Sequence, residues 1–215
     1  MYALHRHDLV WLDATVEAGG FALAAAQAEW LRNWVRLGRP LVVARQCEPN
    51  LDSRLLGFSM PPQRTRVGVR APVAAVIRVS RPMLLSEAMP FAPEGWQSVM
   101  RRVQDLCDRS GVVVRVYGSL STQAVSGVPY IDADSDLDLL LEVKRHTKLE
   151  ELLAQLELFS KTPRLDGEIT TPAGWSVAWR ELAAALRSGT PCTVLAKSDC
   201  ETRLYRIDDW LACLT

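Results

Sequence analysis

The sequence lacks paired cysteines at any spacing that binds zinc. Its five, at positions 47, 107, 192, 200 and 213, contain no CxxC, and only His5, His7 and His146 could add imidazole. A structural zinc site of the finger or ribbon kind is excluded. The odd, scattered count is not a disulfide framework, and a reducing cytoplasm is the expected compartment. Net charge is also missing, with 25 basic against 25 acidic residues. Proteins that grip DNA or RNA carry a basic excess, so no nucleic acid is expected as a partner, although a nucleotide substrate stays open. No apolar run is long enough for a membrane span; the most apolar stretch, 20–31, is broken by Gln27 and Glu29. No secretory leader is expected either. Nor is there any sign of disorder, at 48% hydrophobic residues. A length of 215 residues suits one large domain or two small ones.

One absence is local. Residues 53–86 hold six arginines (Arg54, Arg64, Arg66, Arg70, Arg78 and Arg81) and no Asp or Glu. A solvated strand face would account for this. So would a patch for an anionic partner or substrate, with Arg64 and Arg66 as possible docking residues.

What is present reads as alternating strands and helices. A short strand is predicted at 9–12, behind a polar knot of His5, Arg6, His7 and Asp8; ordinary turn chemistry, with Asp8 as a turn or cap residue and the histidines exposed, would account for it, and a role in substrate binding is the other reading. A helix follows over 20–37, with Leu23, Ala26, Trp30, Trp34 and Leu37 at helical spacing, and then a buried strand at 41–44. Strands are expected at 66–70 and 73–79. Pro82 to Pro93, with three prolines, reads as a linker and places a domain boundary there. The expected domains are 1–85 and 94–215. In the second, helices are predicted at 96–109, 146–159, 180–186 and 207–214. Strands are predicted at 112–117, 135–141, 164–170, 175–179 and 193–197.

The chemistry lies in two of these strands. Val112-Val113-Val114-Arg115-Val116-Tyr117 runs into Gly118-Ser119. A Gly-Ser turn that opens a helix offers free backbone N–H groups to a phosphate. In Ser135-Asp136-Leu137-Asp138-Leu139-Leu140-Leu141 the aspartates alternate with leucines. Residues two apart on a strand point the same way about 6.5–7 Å apart, so two carboxylates can converge on one or two divalent cations. A calcium loop starting at Asp132 fails, because Leu137 and Val143 stand where Gly and Glu are required. A Walker loop fails because no Gly-Lys-Ser/Thr follows Ser119. Phosphate cradle plus carboxylate pair is the minimum equipment for metal-assisted phosphoryl or nucleotidyl transfer.

Gly118-Ser119 with Ser135-Asp136-Leu137-Asp138 resembles the nucleotidyltransferase fold of DNA polymerase beta and its minimal relatives. A longer set resembles the phosphoribosyl-dephospho-CoA transferase of malonate decarboxylase, also called its holo-acyl-carrier-protein synthase. That set is Arg6-His7-Asp8-Leu9-Val10-Trp11-Leu12, Tyr117-Gly118-Ser119-Leu120-Ser121-Thr122-Gln123, Gly127-Val128-Pro129-Tyr130, Ser135 to Leu140, and Asp166-Gly167-Glu168. It departs at Thr122, where that family is expected to carry Trp. The resemblance covers nearly the whole chain.

It implies an α+β protein, with a small N-terminal α/β domain for docking carrier or substrate, then a catalytic domain whose mixed sheet is flanked by helices. It implies transfer of a phosphoribosyl-dephospho-CoA group from its triphosphate precursor to a serine of the acyl-carrier subunit, with loss of pyrophosphate. Asp136, Asp138 and a third carboxylate would be catalytic and hold two Mg2+ ions. Asp166 is favoured as the third, with Glu168 as the alternative. Asp166 would also take the serine proton, and Gly118 and Ser119 would hold phosphate. Two other readings stay open: a nucleotidyltransferase of the same fold acting on a different protein or small-molecule hydroxyl, and a degenerate binding module, which would have lost an aspartate.

Overall fold

The computed structural model describes residues 4–15, 23–46, 52–60, 65–159 and 162–214. They form two compact units. The first comprises the described residues up to Pro82 with Val125–Tyr130 and Asp199–Glu201; the second comprises Met83–Ala124, Ile131–Ser198 and the residues from Thr202.

The first unit is an antiparallel sheet of β1 (Leu9–Leu12), β2 (Leu41–Val43), β3 (Ser53–Met60), β4 (Thr65–Pro72) and β5 (Val76–Ser80), in the order β4-β3-β2-β1-β5. Helix α1 (Ala25–Arg36) covers one face. Strand alternation sends Val10, Leu12, Val43, Leu56, Phe58, Val67 and Val69 to that side, where they bury Leu31, Trp34 and Val35 of the helix. Trp30 stacks on Phe58 with ring centroids 5.1 Å apart, and the Trp34 indole donates to the Pro40 carbonyl at 2.8 Å. The apolar stripe is thus displaced from the one predicted: Ala26 and Leu37 are exposed and Leu31 and Val35 are buried. The segment 73–79 is a helical turn followed by β5 rather than one strand.

The second unit is a six-stranded mixed sheet of β6 (Val113–Val116), β7 (Leu137–Glu142), β8 (Leu165–Thr170), β9 (Ser176–Ala178), β10 (Thr193–Lys197) and β11 (Thr202–Arg206), in the order β11-β10-β9-β8-β7-β6. Only β7 and β8 run parallel. Its helices are α2 (Leu85–Ala88), α3 (Glu94–Arg109), α4 (Gly118–Ser126), α5 (Leu149–Glu157), α6 (Trp179–Ser188) and α7 (Ile207–Ala212). Val99, Met100, Val103 and Leu106 of α3 and Leu149, Leu152, Leu153 and Leu156 of α5 bury against Leu137, Leu139 and Leu141 of β7. The fold is therefore α+β, a small sheet domain followed by a mixed sheet with flanking helices.

The stretch 82–93 is not a linker. Leu85 and Ala88 of α2 are fully buried in the second core, and the Val116 N–H donates to the Met83 carbonyl at 2.9 Å. Two of its prolines stand at helix starts: Pro90 in the short turn Met89–Phe91 and Pro93 at the head of α3. The four described cysteines carry free thiols, and burial pushes that of Cys107 up to about 12. No described helix is long and apolar enough to cross a membrane.

Candidate active site

The site is built at the end of the second sheet where β6 finishes and β7 and β8 begin. After Val116 the chain turns at Gly118 directly into α4. Gly118 has φ +67, a conformation that residues with a Cβ avoid. A Cβ there would run into the carboxylate of Asp138, 2.8 Å from its Cγ. The Tyr117 N–H donates to the Asp138 carbonyl at 3.1 Å, which ties the turn to the strand. The opening N–H groups of α4 have no acceptor within the helix, and this end carries the positive pole of its dipole. Half-buried Ser119 is its second residue. Thr122, where the resemblance led to an expectation of Trp, donates its hydroxyl to the Gly118 carbonyl at 2.9 Å.

Asp136 immediately precedes β7 and Asp138 is its second residue. Leu137, Leu139 and Leu141 are buried on the core face, which turns Asp138 to the other. The alternation is imperfect, since Leu140 on the aspartate face is buried too. In the parallel pairing Asp138 lies opposite Asp166 and Leu140 opposite Glu168. Adjacent strands are about 4.8 Å apart, so Asp138 and Asp166 are neighbours at the same end of one face. Gly167 lets β8 lie flush: a Cβ there would stand 2.7 Å from the Leu139 carbonyl carbon. Its N–H donates to Asp166 Oδ1 at 2.8 Å and fixes that carboxylate.

Asp166 and Glu168 share a strand face but not an environment. The Asp166 side chain is 44% exposed and that of Glu168 only 7%. Glu168 accepts a hydrogen bond from Lys197 Nζ at 2.9 Å, a buried ion pair one repeat further from the strand start. Asp166 is the carboxylate that shares the rim with Asp138.

Arg164 is a residue the sequence reading missed. Its Nε donates to Asp136 Oδ1 at 2.8 Å and its Nη2 to Asp136 Oδ2, so the contact is two-pronged. The same Nη2 lies 3.8 Å from Asp166 Oδ2. The hydrogen bond from Arg164 holds the Asp136 carboxyl below the usual carboxylate range, helped by the charges of Arg164 and Arg180 and opposed by partial burial. Arg180 is committed elsewhere, donating to the Leu165 carbonyl at 2.8 Å and lying over the Trp179 ring. Arg164 had a signal in the sequence, for it stands two residues before Asp166 in a period-two stretch. Among the described residues no three His, Cys, Asp or Glu side chains form a group that could hold a metal ion. The cation gathered between Asp136 and Asp166 is the guanidinium of Arg164.

The first unit uses some of its arginines internally. Arg81 donates to the buried Asp8 carboxylate at 3.1 Å, which also accepts the His5 N–H at 2.9 Å. Asp8 is thus the turn residue that ordinary turn chemistry predicts, closing on His5 through its own N–H and its carboxylate, and it is buried within the fold. His5 Nδ1 lies 2.7 Å from Asp199 Oδ2. Arg78 lies over the Trp11 ring at 4.3 Å. Arg66 of β4 is exposed, and Arg64 lies outside the described residues.

A helix-opening glycine packs against a strand aspartate, with a second aspartate in register beside it, on an α+β scaffold. The comparisons name the family. Residues 83–207 match the phosphoribosyl-dephospho-CoA transferase MdcG C-terminal domain and residues 5–82 its N-terminal domain. The chain belongs to this family. A phosphoribosyl-dephospho-CoA transferase of Xanthomonas campestris pv. campestris is 34% identical over 183 residues, covering 83% of this chain and 85% of that protein. One from Bradyrhizobium diazoefficiens is 32% identical, covering 82% and 81%. One from Pseudomonas putida is 31% identical, covering 98% and 97%. No solved structure matches.

Proposed function

We propose that the chain transfers the phosphoribosyl-dephospho-CoA group from its triphosphate precursor to a serine hydroxyl of the malonate decarboxylase acyl-carrier subunit, releasing pyrophosphate. The observation that carries this reading is the in-register pair Asp138 and Asp166 against the helix-opening Gly118. A phosphate chain held at the start of α4 lies beside both carboxylates.

The donors suit a magnesium site in kind, since Mg2+ takes hard carboxylate oxygens. Two of them, Asp136 and Asp166, already lie against the Arg164 guanidinium. As the side chains stand the three carboxylates do not form one metal group; Asp136, Asp138 and Asp166 would hold the two ions once Asp136 is released from Arg164. Bound metal supplies Lewis-acid polarisation of the phosphoryl oxygens. The rest falls to the chain. Backbone N–H groups at Gly118 and Ser119, with the Ser119 hydroxyl, hold the β- and γ-phosphates. Asp166, more exposed than Asp136 and with Oδ1 already fixed, takes the serine proton. The serine oxygen bonds to the α-phosphorus while the bond to the pyrophosphate oxygen breaks. Arg66, with Arg64 of the same acid-free stretch, belongs to the surface that receives the carrier.

The test is mass spectrometry of the apo carrier incubated with enzyme, precursor and magnesium. The serine peptide should gain the mass of the prosthetic group, with one pyrophosphate released per carrier. An unmodified carrier beside transfer to another hydroxyl would overturn the choice of acceptor.

A further inference from the structure

We infer that Arg164 is a built-in counter-ion that keeps Asp136 from a divalent cation until a polyphosphate draws the guanidinium away, so that metal and phosphate chain enter the site together. The inference rests on the reading above, in which Asp136, Asp138 and Asp166 are the metal carboxylates.

Three observations carry it. The first is occupancy. Nε and Nη2 of Arg164 engage both oxygens of Asp136, and Nη2 reaches to within 3.8 Å of Asp166. A divalent cation cannot share those oxygens with a guanidinium a few ångströms away, because like charges at that distance repel strongly at the edge of a protein.

The second is where the arginine is tethered. Its backbone carbonyl accepts the Leu137 N–H at 2.9 Å, so its main chain is pinned beside the residue that follows Asp136. Only the side chain has to move for the site to change partners.

The third is exposure. The Arg164 side chain is 56% exposed and Asp136 is 24% exposed. Lys197 and Glu168 are 32% and 7% exposed, and Arg81 and Asp8 are 38% and 2%. Those two pairs each hold a deeply buried carboxylate whose cation cannot leave cheaply. The Arg164 pair is open to water, where such contacts are weak and exchange readily.

The planar guanidinium fork matches a phosphate as well as it matches a carboxylate. A triphosphate therefore offers Arg164 an equivalent partner as it frees Asp136 for metal. The coupling is reciprocal: polyphosphate raises metal affinity by the factor by which metal raises polyphosphate affinity. Arg164 is thus a positioning residue in the resting protein and a phosphate contact in the loaded one.

The experiment measures Mn2+ binding to the full-length protein by electron paramagnetic resonance, first with the metal alone. Binding of the preformed Mn2+–tripolyphosphate complex is then followed by water proton relaxation. Wild type should bind the bare metal weakly and the complex well. Arg164→Gln should bind the bare metal roughly two- to fivefold tighter, the release expected for a solvent-exposed ion pair. It should also lose most of its preference for the complex. Arg164→Lys, which keeps the charge but not the fork, should fall between, and it carries the test if the Gln variant melts early. Adding Asp136→Asn to Arg164→Gln should erase the gain. Equal bare-metal affinity in wild type and Arg164→Gln, abolished in both by Asp138→Asn, would overturn the role of Arg164 and leave the metal site standing. Absence of Mn2+ binding in every form, with and without tripolyphosphate, would remove the metal reading itself and this inference with it.

Discussion

Gly118 and Asp138 occupy adjoining space: the hydrogen of the glycine faces the carboxylate, and a methyl group there would sit 2.8 Å from Asp138 Cγ. The Gly118→Ala variant therefore meets two penalties. The left-handed backbone costs about 1–2 kcal/mol for a residue with a Cβ, and Asp138 must move. We expect a melting point lowered by several degrees and transfer reduced far beyond what that loss of stability explains. Near-normal turnover in a folded Gly118→Ala protein would remove the turn from the site.

Asp136→Asn and Asp138→Asn should each abolish transfer while leaving the fold intact. Both sit at a strand start rather than in the core. Losing one metal carboxylate should cost several kcal/mol of transition-state stabilisation. Glu168→Gln should behave in the opposite way: it strands Lys197 and lowers the melting point, yet leaves part of the activity. Steady-state rates and thermal melts on the same preparations separate the two patterns.

Ser119→Ala should raise the Michaelis constant for the triphosphate precursor and spare Mn2+ binding. A hydroxyl bonded to a charged phosphate contributes roughly 1.5–3 kcal/mol. An unchanged constant would take Ser119 out of the phosphate cradle.

The Asp8–Arg81 pair predicts a pH effect in the first unit. Burial holds the Asp8 pKa above 3.8, against the lowering pull of the His5 N–H and of Arg81. The native fold thus binds this proton more tightly than the unfolded chain does. The group's contribution is fully present below pH 3.8 and is lost as pH rises through the native pKa. Arg81→Leu removes a lowering influence, raises the native pKa further and widens that window. Its destabilisation should be roughly 1–3 kcal/mol at neutral pH, discounted for the arginine's exposure, and should shrink on acidification. Denaturant melts at pH 4 and pH 7 check the sign.

Arg66→Glu should raise the Michaelis constant for carrier with little change in turnover, and the effect should fade as salt is added, because exposed charges act mainly on encounter. If precursor binding is lost instead, this arginine faces the nucleotide.

Much of the second unit was legible because its strands bury one face and its helices bury a stripe. Leu137, Leu139 and Leu141 mark β7 by alternation, and the leucines of α5 mark that helix by their spacing. β11 was not legible. It is an edge strand with Leu204 exposed, so no buried face imposes a period on its residues. β3 was missed for a related reason: Leu55-Leu56 blurs the alternation and Gly57 interrupts it. The reading of 82–93 as a linker put too much weight on proline, which opens a helical turn as readily as it extends a chain. In the site, the aspartates were legible from their period. Arg164 shares the period of Asp166, but that it pairs with Asp136, and Lys197 with Glu168, follows from pairing across the fold that no local pattern encodes.

The parallel pairing of β7 with β8 has an evolutionary corollary. Parallel neighbours require the chain to travel back along the sheet between them, and here α5 and its flanking loops make that return trip. Insertions and short deletions in those loops can be absorbed without moving Asp138 relative to Asp166, so long as the chain still spans the return. A single residue gained or lost inside 165–167 would instead invert the phase, sending Asp166 inward and presenting a leucine or glycine in its place. Related sequences should therefore vary freely in the distance between the two aspartates while keeping the parity of the residues around each. A search by fixed interval would miss them, and a search by phase would not.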